Sequence, residues 1–122
     1  MNEIKRNPER EARITLDIIV DRYDDTERAM GWYYYLQDKL QFPFTAECVA
    51  QRAISPLHRN ETVEVIEMAP EEECEHEMFV LIRRRQGDRA VPLAQLMPVA
   101  ADEETVQAVE DWRYWVQQGY QC

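Results

Sequence analysis

The sequence predicts an α+β fold: N-terminal helices, then a small curled antiparallel sheet or SH3-like barrel, then a C-terminal helix. Apolar residues recur with helical spacing in the first third of the chain, and short β-type runs follow. The 122 residues are 45% hydrophobic, enough for one core and a length typical of one domain. We therefore expect a single domain over 1–122, with a helical part at 1–43, a β part at 44–100 and a C-terminal helix at 101–122.

Two helices are predicted before the sheet. Asn7 and Pro8 are typical of a helix start, because Asn caps the first turn and proline is favoured at the first helical position. The next stretch fits a helix or an alternating strand, and we favour the helix. The second helix, 27–40, is better defined, because its apolar residues form one stripe. That stripe consists of Ala29, Trp32, Tyr33, Leu36 and Leu40.

The remaining elements are short strands and one helix. Strands are predicted at 44–50, 62–68, 78–85 and 89–93, with a short run at 96–99. Their number and spacing are what suggest a curled sheet or an SH3-like barrel. Acidic residues at 102–104 favour the first turn of a final helix, and Gly119 is typical of its end.

The net charge of the chain restricts the classes of molecule that it can bind. Asp and Glu total 24 against 14 Lys and Arg, a formal net charge of −10. Such a surface repels phosphates and anionic lipid, so we expect neither nucleic acid nor a membrane as partner. It attracts cations and basic protein patches. The three cysteines cannot all pair with one another and form no C-x-x-C motif, which favours reduced thiols and a cytoplasmic location.

The densest chemical feature is an acidic loop between two predicted strands, which we define as residues 71–77. Its five carboxylates are Glu71, Glu72, Glu73, Glu75 and Glu77. Two carboxylates about 4 Å apart repel by roughly 4 kcal/mol at an effective dielectric near 20. A cation bound between them makes the net electrostatic energy of the group favourable. Ca²⁺ suits the loop because it takes six to eight oxygens in irregular geometry. The alternative is a solvated acidic loop.

Asp38 is the second candidate ligand. It lies near the predicted end of the second helix, where the last backbone carbonyls lack intrahelical partners. A carboxylate beside free carbonyls is a suitable half of a calcium site, although Lys39 could simply offset the charge of Asp38. The acidic patches at 21–27 and 102–104 are explained as helix starts, and 21–32 does not match an EF-hand.

Other chemistries have less support. Zinc ligation by Cys48, Cys74 and His76, with His58 or Cys122, lacks any spacing motif. Ser55 is the only serine, and neither a G-x-S-x-G motif nor a glycine-rich phosphate loop occurs. We therefore do not expect an enzyme.

Several segments resemble the cyanobacterial calcium-binding protein family CcbP. The resemblance lies in the runs 28–36 (RAMGWYYYL), 40–44 (LQFPF), 68–70 (MAP), 74–79 (CEHEMF), 91–93 (VPL) and 95–96 (QL), and in the tail from Asp111-Trp112 to Gly119-Tyr120. It implies calcium binding, a cytoplasmic location and, in some members, a role in calcium signalling. It places Asp38 where the family's helix carries an acidic ligand, and the acidic loop where further ligands are supplied.

These observations combine into one hypothesis. A tighter Ca²⁺ site joins Asp38 and nearby carbonyls to glutamates of the acidic loop, weaker acidic sites accompany it, and the protein buffers or senses calcium. The alternative is an acidic docking module, with an SH3-like barrel, for a basic protein partner.

Overall fold

The structure is a computed structural model that describes residues 6–22 and 24–119. Its helices and strands are α1 Pro8–Asp17, α2 Asp25–Lys39, β1 Phe44–Cys48, β2 Thr62–Met68, β3 Phe79–Ile82, β4 Arg89–Pro92, β5 Leu96–Ala100 and α3 Glu103–Gln117. The order of helices, sheet and helix confirms the α+β prediction. Residues 1–5, Tyr23 and 120–122, and with them the zinc candidate Cys122, lie outside the described residues. Within the described ranges, no helix is both long and apolar enough to cross a membrane.

The first helix resolves the ambiguity in the sequence. Asn7 caps α1 by accepting a hydrogen bond from Arg10 N at 3.0 Å, and Pro8 is its first residue. Ile14 and Ile18 are buried, whereas Leu16 between them is 67% exposed. A strand would have placed all three on one face, so the burial follows the i, i+4 pattern of a helix.

The second and third helices cover the sheet with aromatic side chains. Asp24 caps α2 by accepting from Glu27 N at 2.8 Å, and Asp102 caps α3 by accepting from Thr105 N at 2.9 Å. The Trp32 ring on α2 lies edge-on to Trp112 of α3, with ring centroids 5.0 Å apart. Edge-to-face aromatic pairs of this kind add to the stabilisation from apolar burial.

The sheet is antiparallel, with the strand order β4-β3-β2-β1-β5. Strands β4 and β5 are its edges, and no ladder joins them among the described residues, so the sheet is open. The curled-sheet form of the prediction is confirmed, and closure into a barrel is not found. Three strands are shorter than predicted, and β4 ends one residue early, at Pro92. β1 ends at Cys48, and β3 ends at Ile82 because the chain turns at Arg84, whose carbonyl accepts from Gly87 N at 3.1 Å.

Helices α1 and α2 approach each other closely at one glycine. A Cβ atom on Gly31 would lie 2.4 Å from the backbone carbonyl oxygen of Ile18. Real Cβ atoms do not approach oxygen this closely, so glycine permits the packing of the end of α1 onto α2. This contact fixes the position of Asp17, at the end of α1, relative to the second half of α2.

Candidate metal centre

The acidic loop is held against α2 by two consecutive tyrosines. The Tyr33 hydroxyl donates a hydrogen bond to the Ala69 carbonyl oxygen at 2.9 Å, and the Tyr34 hydroxyl donates to Glu71 Oε1 at 2.7 Å. Burial raises the pKa of the Tyr33 phenol, and electrostatic interactions with Cys74, Glu71 and Glu72 of the loop raise it further. The start of the loop therefore lies within electrostatic range of α2.

The loop begins as a short 3-10 turn, Glu71–Cys74, anchored by a buried thiol. Cys74 Sγ lies 3.4 Å from Phe79 N, which donates to it, and 3.6 Å from the Phe79 carbonyl oxygen. Burial raises the pKa of the Cys74 thiol to about 11, so it stays protonated at neutral pH. Because the thiol is directed inward, the neighbouring glutamates are directed outward.

The five glutamates of the loop have different partners. Glu71 is half-buried against Tyr34, and this hydrogen bond is the main reason that the pKa of the Tyr34 phenol is raised. Glu72, Glu73 and Glu75 are exposed, and their carboxylates have no hydrogen bond or ion pair in the described part of the chain. These three carboxylates are therefore available to a cation without breaking any contact.

Glu77 is paired with an arginine on the far side of the loop. Arg52 Nη1 lies 2.6 Å from Glu77 Oε2, and Arg52 Nη2 lies 3.0 Å from Glu77 Oε1. This two-point pairing raises the pKa of the Arg52 guanidinium. For Glu77 to bind a metal, this ion pair must open.

Asp38 lies on the exposed side of the last turn of α2, in a cleft of about 360 Å³. Asp17, Arg22 and Tyr34 also line this cleft. Lys39 lines the cleft as well, and its ammonium group lies 3.8 Å from Glu104. The cleft thus contains two carboxylates, one arginine and one lysine, and a cation entering it competes with Arg22 and Lys39.

The end of α2 supplies backbone oxygens beside Asp38. Leu40 N donates to the Leu36 carbonyl at 2.9 Å, whereas Gln41 N donates to Thr105 Oγ1 at 2.9 Å. The helical hydrogen-bond pattern therefore stops at Leu36, and the carbonyls that follow have no helical donor. The carbonyls of residues 37–39 therefore lie next to Asp38 without a helical donor, and their binding of an ion stays a prediction.

Tyr34 connects the two halves of the predicted site. Its hydroxyl contacts Glu71, and Asp38 follows it by one helical turn on α2. Residues at i and i+4 lie on one helix face, so Tyr34 holds Glu71 from the face of α2 that also carries Asp38. In the described ranges, however, no three Asp, Glu, His or Cys side chains meet as a preformed metal cluster. The shared site of Asp38, Glu71, Glu72, Glu73, Glu75 and Glu77 therefore stays a prediction.

The available donors fit calcium in kind. They are carboxylates and backbone carbonyls, the hard oxygen ligands that Ca²⁺ prefers. They do not suit zinc, because Cys48 and Cys74 are buried while His76 is exposed. Calcium binding here requires the carboxylates to move towards one another.

Sequence reasoning missed four residues around the candidate site. Asp17 lines the same cleft as Asp38, Tyr34 donates a hydrogen bond to Glu71, and Arg52 pairs with Glu77. Asp111 is fully buried and pairs with Arg13, whose Nη2 lies 2.7 Å from Asp111 Oδ1. Only Asp111 had a local signal, namely a carboxylate beside Trp112 within the apolar pattern of α3.

Comparison with known proteins agrees with the fold and with the donor chemistry. A family model described as calcium binding, that of CcbP, matches residues 12–116. The crystal structure of Anabaena CcbP shares 39% identity with this chain, covers 98% of both chains and superposes with a TM-score of 0.84. A calcium-binding protein in the calcium-binding form gives the same values. No curated protein matches the chain significantly. The family is defined by calcium binding rather than by a reaction, and this chain belongs to the CcbP family of calcium-binding proteins.

Proposed function

We propose that this protein binds Ca²⁺ through Asp38, the carbonyls at the end of α2 and glutamates of the acidic loop. The observation that carries the proposal is the position of Tyr34, which contacts Glu71 and lies one helical turn from Asp38. Membership of a calcium-binding family supports the choice of ion. Micromolar affinity corresponds to about 8 kcal/mol, which requires several charged ligands to converge on one ion.

We propose Glu71, Glu72, Glu73, Glu75 and Glu77 as the ligands from the loop. Glu72, Glu73 and Glu75 are free to move, whereas Glu71 must leave Tyr34 and Glu77 must leave Arg52. Because two contacts change when the ion binds, calcium alters the surface around α2. This favours sensing over simple buffering and suits a role in calcium signalling.

The proposed setting is the cytoplasm, and the proposed activity is binding rather than catalysis. Cys48 and Cys74 are free thiols, which fits a reducing compartment. The net charge of −10 supports a cation or a basic protein as partner and disfavours nucleic acid and anionic membranes. We treat the whole chain, 1–122, as one calcium-binding domain.

Calorimetric titration of chelator-stripped protein tests the proposal. We expect saturable heat with Ca²⁺ and much weaker binding of Mg²⁺, which requires a tighter octahedral site. Affinity should fall as the pH approaches about 4, the reference range for carboxyl groups, because protons compete with the ion. An absence of calcium heat, or an affinity unchanged down to about pH 4.5, would refute carboxylate ligation.

The alternative, an acidic docking module with an SH3-like barrel, is not favoured. The matching family is one of calcium-binding proteins, and the described sheet is open rather than closed. Salt-sensitive capture of a basic protein that does not respond to calcium would distinguish this alternative from calcium-dependent binding.

A further inference from the structure

One end of the sheet carries a cluster of arginines, which is unexpected in a chain with a net charge of −10. The register pairs Ile82 of β3 with Arg89 of β4, and Val65 of β2 with Ile82. The start of β2, the end of β3 and the start of β4 therefore share one end, opposite to the acidic loop. We call this end the arginine end, and its arginines are Arg59, Arg83, Arg84, Arg85 and Arg89.

Two of these arginines are neutralised within the chain. Arg83 Nε lies 2.6 Å from Glu64 Oε1, and Arg84 Nη1 lies 2.6 Å from Glu61 Oε2. Asp88 also lies close enough to Arg83 to help raise the pKa of its guanidinium. Glu47 lies opposite Thr62 at the same end, so four carboxylates face five arginines, and the arginine end keeps a net positive charge.

Of the three remaining arginines, Arg85 follows β3 and Arg89 begins β4. Both are exposed, and neither has an ion pair or hydrogen bond to an acidic residue in the part of the chain described. A guanidinium presents a planar fork of donors that matches a carboxylate at two points. Two such forks therefore remain open to an external anion.

A cleft of about 490 Å³ lies beside these arginines. One wall is the start of β2 at 61–63, and the other is the segment 83–86 that follows β3. The last backbone hydrogen bond between these walls, among the described residues, joins Arg83 N to the Glu64 carbonyl at 3.0 Å. Thr62 pairs with Glu47 of β1 on its other side, so the wall facing the cleft is a strand edge.

A second cleft continues this surface towards Arg89. It measures about 290 Å³, and Arg84 lines both clefts. Pro56 and Arg89 lie along it. The two clefts together form an extended path with arginines along its length, which suits a chain segment better than a single small anion.

We propose that the arginine end docks an acidic peptide segment of another protein in extended conformation. The backbone N–H and C=O of Thr62, at the free strand edge, offer hydrogen bonds, and Arg85 and Arg89 pair with carboxylates of the peptide. Nucleic acid is disfavoured, because its dense phosphate charge is repelled by the acidic remainder of the chain. The role does not depend on calcium, because it uses the end of the sheet opposite to the acidic loop.

Fluorescence anisotropy with a labelled peptide of alternating Glu and Ser tests this proposal. The buffer contains EDTA, so that the result is independent of calcium binding. The combined substitutions Arg85→Gln and Arg89→Gln should weaken binding at least about tenfold, because two charge-assisted contacts are lost. The control combines Arg6→Gln and Arg28→Gln, which remove the same charge elsewhere, and it should weaken binding less than about twofold. Equal losses in the two variants would overturn the proposal.

Further measurements distinguish binding at the arginine end from general attraction between opposite charges. A peptide with Gln in place of Glu should not bind, and a single-stranded oligonucleotide of equal charge should compete poorly. Amide signals of residues 61–63 and 84–86 in the unmodified protein should shift when the acidic peptide is added. Binding of the Gln peptide, stronger binding of the oligonucleotide, or shifts confined to other parts of the protein would each overturn it.

Discussion

Tyr34 donates a hydrogen bond of 2.7 Å to Glu71 Oε1, from a position one helical turn before Asp38 on α2. Under the proposed ligation, the hydroxyl occupies an oxygen of Glu71 that calcium would use, so hydrogen bonding and metal binding would compete at this carboxylate. Tyr34 therefore holds Glu71 against α2 and would oppose its ligation.

Replacement of Tyr34 should strengthen calcium binding. In Tyr34→Phe, Glu71 no longer has to break a hydrogen bond to reach the ion, so calcium affinity should rise about three- to tenfold. Calorimetry measures this change. The matched control is Tyr114→Phe, which removes a tyrosine–glutamate hydrogen bond to Glu11, far from the loop. An unchanged affinity, or the same change in both variants, would show that Glu71 is not a ligand.

Replacement of Arg52 tests Glu77 in the same way. Arg52→Met frees Glu77 from its two-point ion pair, and calcium affinity should rise about three- to tenfold if Glu77 binds the ion. The free energy of unfolding should fall by about 1 kcal/mol, since both side chains are partly exposed. The control Arg83→Met removes an equal charge and frees Glu64 instead. Equal affinities in the two variants would exclude Glu77 from the ligand set.

The Tyr35 phenol should make the protein sensitive to alkali. Burial, and then the neighbouring Asp111 carboxylate, raise the pKa of Tyr35 to about 12. The unfolded chain releases this proton near pH 10, so the stabilisation is complete below about pH 10 and is lost as the pH rises towards 12. Urea unfolding at about pH 9 and pH 11 should show a smaller loss of stability in Tyr35→Phe than in the unmodified protein. Equal losses would contradict this assignment.

The contact at Gly31 should not tolerate a methyl group. In Gly31→Ala, the added Cβ would lie 2.4 Å from the Ile18 carbonyl oxygen, so α1 must move. Strain of about 1–3 kcal/mol should exceed the roughly 1 kcal/mol that alanine adds to helix propensity. Urea unfolding should show a net destabilisation, whereas Gln37→Ala, at an exposed position of α2, should not. A variant of Gly31 as stable as the unmodified protein would show that α1 is not fixed at this contact.

The fold could be predicted from local signals, whereas the site could not. Asn7, Pro8 and the apolar stripe of α2 act over a few residues, and the helices began close to where these signals placed them. The pairing of Glu77 with Arg52 joins residues 25 positions apart, and no periodicity encodes it. Asp17 and Asp38 line one cleft because of the way α1 packs on α2. A single close contact at Gly31 permits that packing.

The number of strands was also easier to predict than their closure. Alternating apolar residues identify a strand because they reflect its two faces, and all five strands lie within or next to the predicted runs. Whether β4 meets β5 depends on the twist accumulated across the sheet, which composition does not report. The open sheet follows from the tertiary arrangement.

A double-mutant cycle on calcium affinity tests most directly whether Asp38 and the acidic loop bind the same ion. The chelator-stripped protein, Asp38→Asn, Glu71→Gln and the double variant are titrated with Ca²⁺, with Glu9→Gln as an exposed control on α1. We predict that each single change weakens the tightest site about tenfold or more, and that the pair shows a coupling energy of about 1 kcal/mol or greater. Additive effects, or an affinity for Asp38→Asn equal to that of the Glu9→Gln control, would show that the helix and the loop do not share a calcium ion.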